Sequence, residues 1–236
     1  MMKLLPLVLL VGWITLFSSC NENPTPPPST DVSEQTDTVP GTTNGALDTG
    51  EKRDYDNQGR VVWQRPELII NLLGNGSLAD KTVADIGAGT GWFTLRLAPR
   101  VKKVIALDID PSFISYLDSV KQLQLTEDIQ PRLETRLTPR DRANLDPGEV
   151  NGVLIVNTFM YIKNKVEYLK SLRNSIAEGG RLVIVDFKRK RTPIGPPSEL
   201  RLPLYVAEDY LYEAGYRNIT VDDCSLDYQY IVMAEK

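Results

Sequence analysis

The stretch Val83–Thr94, VADIGAGTGWFT, places glycines at 87, 89 and 91 and a carboxylate, Asp85, two residues ahead of the first. Glycines at this spacing let the backbone turn tightly and approach a ligand without interference from Cβ atoms. The charge of Asp85 limits what that ligand can be. A pyrophosphate would be repelled by it, and no phosphate-binding lysine follows the loop. The dinucleotide fingerprint also needs a glycine three residues beyond Gly89, where this chain has Trp92. A nicotinamide-dependent oxidoreductase is therefore disfavoured on both spacing and charge. The loop better suits a ligand that lacks phosphate, carries a cationic end, and offers a carboxylate to backbone N–H groups at a helix start.

Such a loop must be held by strands. Hydrophobic runs of strand length alternate with segments of helical period, which predicts a doubly wound α/β domain with a mostly parallel sheet. KTVADI enters the glycine loop, and WFTLRLA reads as a helix beginning near Trp92. KKVIALDID is the next strand, after which Asp110 and Pro111 give an N-cap and first-turn signal for a helix with Phe113, Leu117 and Val120 on one side. An edge strand is expected over 132–137, and NGVLIVNTF is a buried strand. KNKVEYLKSLRNSIAEGG follows as an amphipathic helix with Val166, Leu169, Leu172 and Ile176 inward and Gly179 as its stop. RLVIVDF is central. After a turn-rich excursion and the short helix YVAEDYLYEAGY, the runs RNITVDDC and YQYIVMAEK are joined by only SLD, too short for a helical crossover. That terminal pair is predicted to be antiparallel and completes seven strands. The lead-in RVVWQRPELIINLLGNG is amphipathic, and its Trp63 and Gln64 either close over the site or pack on the sheet.

S-adenosylmethionine meets the loop's requirements, since its sulfonium and ammonium are positive and its carboxylate can face backbone donors. The pattern DIGAGTG, with Asp108 in VIALDID twenty-one residues after Gly87, resembles the class I S-adenosylmethionine-dependent methyltransferases. The resemblance spans essentially Arg60 to Lys236 and implies their Rossmann-like fold. It implies that Asp85, Gly87, Ala88, Gly89 and Gly91 cradle the cofactor, that Asp108 with Ile109 meets the ribose hydroxyls, and that Asn157 belongs to the cofactor side. Asp141, in TPRDRANLD, falls where an acid can meet the adenine amino group. Asp110 is better used as the helix cap.

More narrowly, WQRPE, ADIGAGTGWFT, VDFKRK with TPIGPP, and LDYQYIVM are similar to a subgroup of small, often exported methyltransferases of unknown substrate. After the fourth strand that subgroup has an acidic residue followed by aromatic and histidine residues, whereas this chain has NTFMYI. A histidine expected near SELR is replaced by Leu200. The cofactor half is thus carried over and the substrate half is altered.

The chain contains no histidine at all, which removes imidazole catalysis and the usual zinc sites. Methyl transfer from a sulfonium is an in-line displacement that the protein serves mainly by positioning, with a base needed only if the nucleophile must lose a proton. Candidate catalytic residues at the strand ends are Asn157, Tyr161 and Asp186. Tyr161 either faces the sulfonium as a cation–π partner or is a core or rim aromatic. Asp186 is either a base or a residue that caps the turn. The run Lys188–Arg191 lies at the same end, as an attractor of anions or lipid headgroups or simply as a solvated loop.

The N-terminal twenty residues, MMKLLPLVLLVGWITLFSSC, have one basic residue, a short apolar run and then Ser18, Ser19 and Cys20. They read as a secretory signal over 1–19 and resemble that of bacterial lipoproteins, with lipidation at Cys20. Residues 20–52 form a Pro- and Thr-rich tether with almost no large apolar side chains, reaching about 30 Å on flexible-chain scaling. Residues 53–236 are the methyltransferase domain. With Cys20 acylated, Cys224 is left alone, so neither a disulfide nor a metal-ligand pair is expected. A net charge of −4 gives no footprint for nucleic acid. The expected partners are a small-molecule or lipid-like acceptor and a membrane reached through the anchor. The sequence does not define an oligomeric state. The competing class is a cofactor-binding pseudoenzyme or sensing lipoprotein, suggested by the missing histidines and by the lack of an obvious cofactor supply outside the cell.

Overall fold

The strand-length apolar runs pair into one seven-stranded sheet in the computed structural model, which describes residues 59–74 and 76–236. The leader, Cys20 and the tether fall outside the described residues. The strands are β1 (Thr82–Ile86), β2 (Lys103–Asp108), β3 (Leu133–Leu137), β4 (Val150–Val156), β5 (Ile176–Phe187), β6 (Arg217–Asp222) and β7 (Gln229–Glu235). Their order in space is β3-β2-β1-β4-β5-β7-β6. The first five are mutually parallel, and β7 runs antiparallel to both β5 and β6. The doubly wound α/β class, the edge strand at β3 and the antiparallel terminal pair all agree with the sequence expectation.

The helices are α1 (Arg60–Gln64), α2 (Pro66–Asn71), α3 (Thr94–Leu97), α4 (Pro111–Gln124), α5 (Lys165–Ser175) and α6 (Leu204–Glu213). The lead-in breaks into α1 and α2 because Pro66 can begin a helix but cannot continue one, and Arg65 takes a left-handed φ of 47° between them. Asp110 caps α4 as expected, its side chain accepting from Ser112 N–H at 2.8 Å.

The helix after the glycine loop starts close to Trp92, as expected, with Leu95 N–H donating back to Gly91 O at 2.9 Å. One boundary differs from expectation. The helix after β4 ends at Ser175, not at Gly179, because Ile176 turns extended and pairs with Val150. Gly179 instead sits inside β5 with φ +71°, where the register with β4 shifts.

Both sheet faces are covered. On one, Ile105, Leu107, Val153 and Ile155 pack with Leu169, Leu172 and Leu211 of α5 and α6. On the other, Val83, Leu154 and Val183 pack with Ile69, Ile70, Leu97 and Leu117 of α2, α3 and α4.

The excursion after β5 is held by one side chain. Arg201 is 6% exposed and donates to the carbonyls of Pro196 (2.7 Å), Lys188 (3.1 Å), Lys190 (2.7 Å) and Ile194 (3.4 Å). Its guanidinium also stands 5.4 Å from the ring centre of Phe187. Arg201→Ala is expected to lower stability by about 2 kcal/mol and to speed tryptic cleavage at Arg189–Arg191. Urea melts and limited proteolysis measure both, and an unchanged cleavage rate would mean that the excursion is held by other contacts.

Candidate active site

The carboxyl ends of β1, β2, β4 and β5 and the amino end of β7 meet at one edge of the sheet, and the glycine loop is fastened there. Gly87 and Ala88 donate their N–H groups to Leu107 O, at 2.8 and 3.1 Å, and Gly89 donates to Asp108 Oδ2 at 2.9 Å. Gly91 donates to Ala88 O at 2.9 Å. The loop therefore spends these donors on β2 and on itself.

Two glycines are required for different reasons. A Cβ on Gly87, which has φ +74°, would lie 2.3 Å from Thr158 Oγ1, so the turn after β4 presses directly on the loop. A Cβ on Gly89, with φ +53°, would meet nothing within 4 Å. The Gly89 side of the loop thus faces open space beside the Asp108 carboxyl.

Asp85 and Asp108 both lie under this surface. Asp85 is 3% exposed and accepts from Thr94 Oγ1 at 2.6 Å. Burial pushes its carboxyl up to about 6, against the lowering effects of the Thr94 bond and the Arg60 charge. It braces the loop from beneath, tying the end of β1 to the start of α3. Asp108 also accepts from Asp110 N–H at 3.0 Å, and burial raises its pKa against the backbone donors of Asp110, Gly89 and Ile109. Ile109 itself is exposed at this rim.

A line of polar side chains crosses the same edge on the face of α2–α4. Arg60 Nε donates to Gln64 Oε1 at 2.7 Å, Gln64 Nε2 donates to Gln229 Oε1 at 3.0 Å, and Gln229 Nε2 donates to Asn157 Oδ1. Arg60 also stacks over Trp92 from 4.7 Å, with Arg96 at 3.7 Å. Trp63 packs on Phe187 and Tyr228 with ring centres 5.9 and 6.1 Å apart. Of the two alternatives for Trp63 and Gln64, packing on the sheet holds for Trp63, and Gln64 is drawn into the network at the sheet's carboxyl edge.

On the opposite face Asp186 is fully buried beside its β7 partner Tyr230. Its Oδ2 accepts from Met160 N–H at 3.0 Å, while Oδ1 and the Tyr230 hydroxyl have no hydrogen-bond partner. Burial raises the carboxyl to about 8, with Lys165 opposing the shift. Lys165 Nζ donates to Met160 O (3.1 Å) and Ile162 O (2.6 Å), so the 3-10 turn Phe159–Tyr161 is held from both sides. In this geometry Asp186 supports the turn that follows β4.

Asn157, with φ +57°, and half-exposed Tyr161 thus sit at the strand ends beside the loop's neighbour Thr158. Asp141 stands apart on an exposed segment, paired with Arg142 at 3.4 Å, and no described contact joins it to the loop. In the run Lys188–Arg191, Lys188 is committed to the carbonyls of Asp223 (2.6 Å) and Leu226 (2.8 Å), and 189–191 are exposed. A cleft of about 760 Å³ opens beside the turn, between Tyr161, Lys163, Glu167 and Tyr210. A second, of about 540 Å³, lies around Lys81, Asn151 and Gly180 at the opposite end of the strands, away from the loop. Among the described residues no group of His, Cys, Asp and Glu could hold a metal.

Residues 84–182 match a family described as a methyltransferase domain. The chain is similar to the tRNA U34 carboxymethyltransferase of Shewanella putrefaciens, with 27% identity over 124 residues, 52% of this chain and 34% of that protein. It spans about a third of the length of that relative. Among solved structures, a SAM-dependent methyltransferase from Aquifex aeolicus superposes with TM-score 0.70 and 24% identity, covering 80% of this chain and 98% of that one. The Haemonchus contortus phosphoethanolamine N-methyltransferase 2, in complex with S-adenosyl-L-methionine, superposes with TM-score 0.60 and 13% identity, covering 74% and 52%. The fold is that of these methyltransferases.

The buried Asp186 carboxyl gives stability a pH dependence of definite sign. Its folded-state value of about 8 lies above the ordinary 3.8, so the folded protein keeps a proton that the unfolded chain releases between these values. Its contribution is full below about pH 4 and is lost as pH rises through about 8. Asp186→Asn keeps an acceptor for Met160 N–H and removes the titration. Between pH 5 and 8 the wild type is expected to lose about 1–3 kcal/mol relative to the variant. Asp85 is unchanged in both proteins, so paired urea melts isolate the effect; parallel pH curves would show that Asp186 is already ionised.

Proposed function

We propose that this chain, which carries a methyltransferase domain, binds S-adenosylmethionine at the β1 loop and methylates a small-molecule or lipid-like acceptor. The observation that carries the reading is the open Gly89 side of the loop beside the buried Asp108 carboxyl. The residues fit the cofactor. The loop leaves room where a side chain would intrude, and Asp108 has acceptor capacity for hydroxyls beyond its bonds from backbone donors. When bound, the cofactor supplies a methyl group on a sulfonium that needs no further activation.

The chain's own residues then have positioning work. Asp85 and Thr94 fix the loop, and Asp186 and Lys165 fix the turn that carries Tyr161 to the rim. Tyr161 offers a ring face next to the cleft, suited to a cationic centre. No histidine is available as a base, so an acceptor with a lone pair already free is favoured.

The cleft beside Tyr161, on the turn that follows β4, is the place this reading gives to a small acceptor. The relatives named for tRNA point to another acceptor, but the domain carries no excess of basic over acidic side chains, which favours the small-molecule reading. The leader and Cys20 support export and tethering to a membrane by a lipid anchor, with the domain on the far side of that membrane.

Calorimetry with S-adenosylmethionine should show one site in the wild type. Asp108→Ala should weaken binding by about 1.5–3 kcal/mol, the range for hydrogen bonds to a charged group. Absence of binding by the wild type would remove the methyltransferase reading. Saturable binding with no transfer to any lipid, thiol, amine or oxyanion tested would favour the pseudoenzyme. For the anchor, mass spectrometry is expected to find an acylated Cys20 as the mature N-terminus, and an unmodified terminus elsewhere would reject it.

A further inference from the structure

The amide line across the sheet edge has a polarity set by chemistry at one end. Arg60 is a donor with no acceptor. Gln64 must therefore turn its carbonyl to Arg60 Nε, at 2.7 Å, and its NH2 towards Gln229 Oε1, at 3.0 Å. Gln229 is obliged in turn to give its NH2 to Asn157 Oδ1. Asn157 is left presenting its own NH2 away from the relay. Gln64 and Gln229 are 0% exposed, so solvent offers no substitute partner that would let either amide reverse.

This donor stands beside a loop with little backbone left to offer. The N–H groups of Gly87, Ala88, Gly89 and Gly91 are taken by Leu107, Asp108 and Ala88. The four-residue α3 provides no extended helix start in their place. Thr158, next to Asn157, touches the loop at Gly87, and the Arg60 charge lies over Trp92 on the same side. The expectation that loop N–H groups would meet the cofactor's carboxylate is therefore not met by these four.

Resting on the methyltransferase reading, we infer that the Asn157 side-chain NH2 donates to the carboxylate of the cofactor's amino-acid end. Arg60, Gln64 and Gln229 are positioning residues that hold this amide in its donor orientation. A substitution two links away should then act like one at Asn157. Gln64→Glu still accepts from Arg60 but has nothing to donate. Gln229 must turn its NH2 towards position 64 and its carbonyl towards Asn157, which reverses and places its oxygen against the carboxylate.

Calorimetry on the full chain, with S-adenosylhomocysteine and its decarboxylated analogue as the two probes, tests the relay. Gln64→Glu and Asn157→Asp should each weaken S-adenosylhomocysteine about tenfold or more, with the double variant no weaker than the worse single. Both singles should bind the decarboxylated analogue within about twofold of wild type, which also shows that they are folded. If Gln64→Glu fails to fold, Gln64→Met serves, and it should still weaken S-adenosylhomocysteine more than the analogue. Unchanged S-adenosylhomocysteine affinity in a folded relay variant, or equal losses for the two probes, overturns the inference. A wild type that binds neither probe removes the methyltransferase reading and the relay's ligand with it, whereas a wild type that binds both equally removes only the carboxylate contact.

Discussion

The bonds from Gly87, Ala88 and Gly89 to the last residues of β2 are the constraint on which the site depends. They bend the chain back over the neighbouring strand, and such a bend needs positive φ at Gly87 and Gly89. They also use up donors that a helix start would otherwise turn to a ligand. The contacts around them follow from that bend. Thr158 presses on the loop, Asp85 ties its underside to α3, and the turn after β4 is set at the right height to carry Asn157 and Tyr161.

Each face of the sheet ends in its own buried polar group at this edge. On one side, Arg60, Gln64 and Gln229 satisfy one another and extend to Asn157. On the other, Asp186 satisfies one oxygen and leaves a second beside the orphan hydroxyl of Tyr230. The first is a continuous line of amides, which rigidifies what it touches. The second holds a carboxyl that remains neutral through most of the physiological range, so it can support a backbone turn without the cost of a buried unpaired charge.

The periodic apolar runs made the strands, their parallel order and the terminal antiparallel pair legible in the sequence, because each rests on local pattern and connection length. The glycine loop and Asp108 were legible because their spacing is short and chemically specific. Helix ends were less so. Gly91 and Gly179 take positive φ values whose use, as a turn in one case and a strand irregularity in the other, is decided by strand pairing. Gln64, Gln229 and Arg60 carried little signal, since Gln64 and Gln229 are 165 residues apart and an isolated glutamine reads as surface. The burial of Asp186 and its bond to Met160 were not legible, because both depend on how the turn after β4 folds against β5.

The seventh strand in sequence is not an edge. β7 lies between β5 and β6, and it contributes Gln229 to one polar group and Tyr230 to the other. The first five strands can therefore pair while the open border of β5 waits, and β6 has no neighbour in the sheet until residues 229–235 join. A chain without those residues has a glycine loop but no Gln229 to fix the Asn157 amide, and it carries an exposed row of unpaired backbone groups that invites association with other chains. Completion of the ligand edge and closure of that border are therefore one event in the life of the chain.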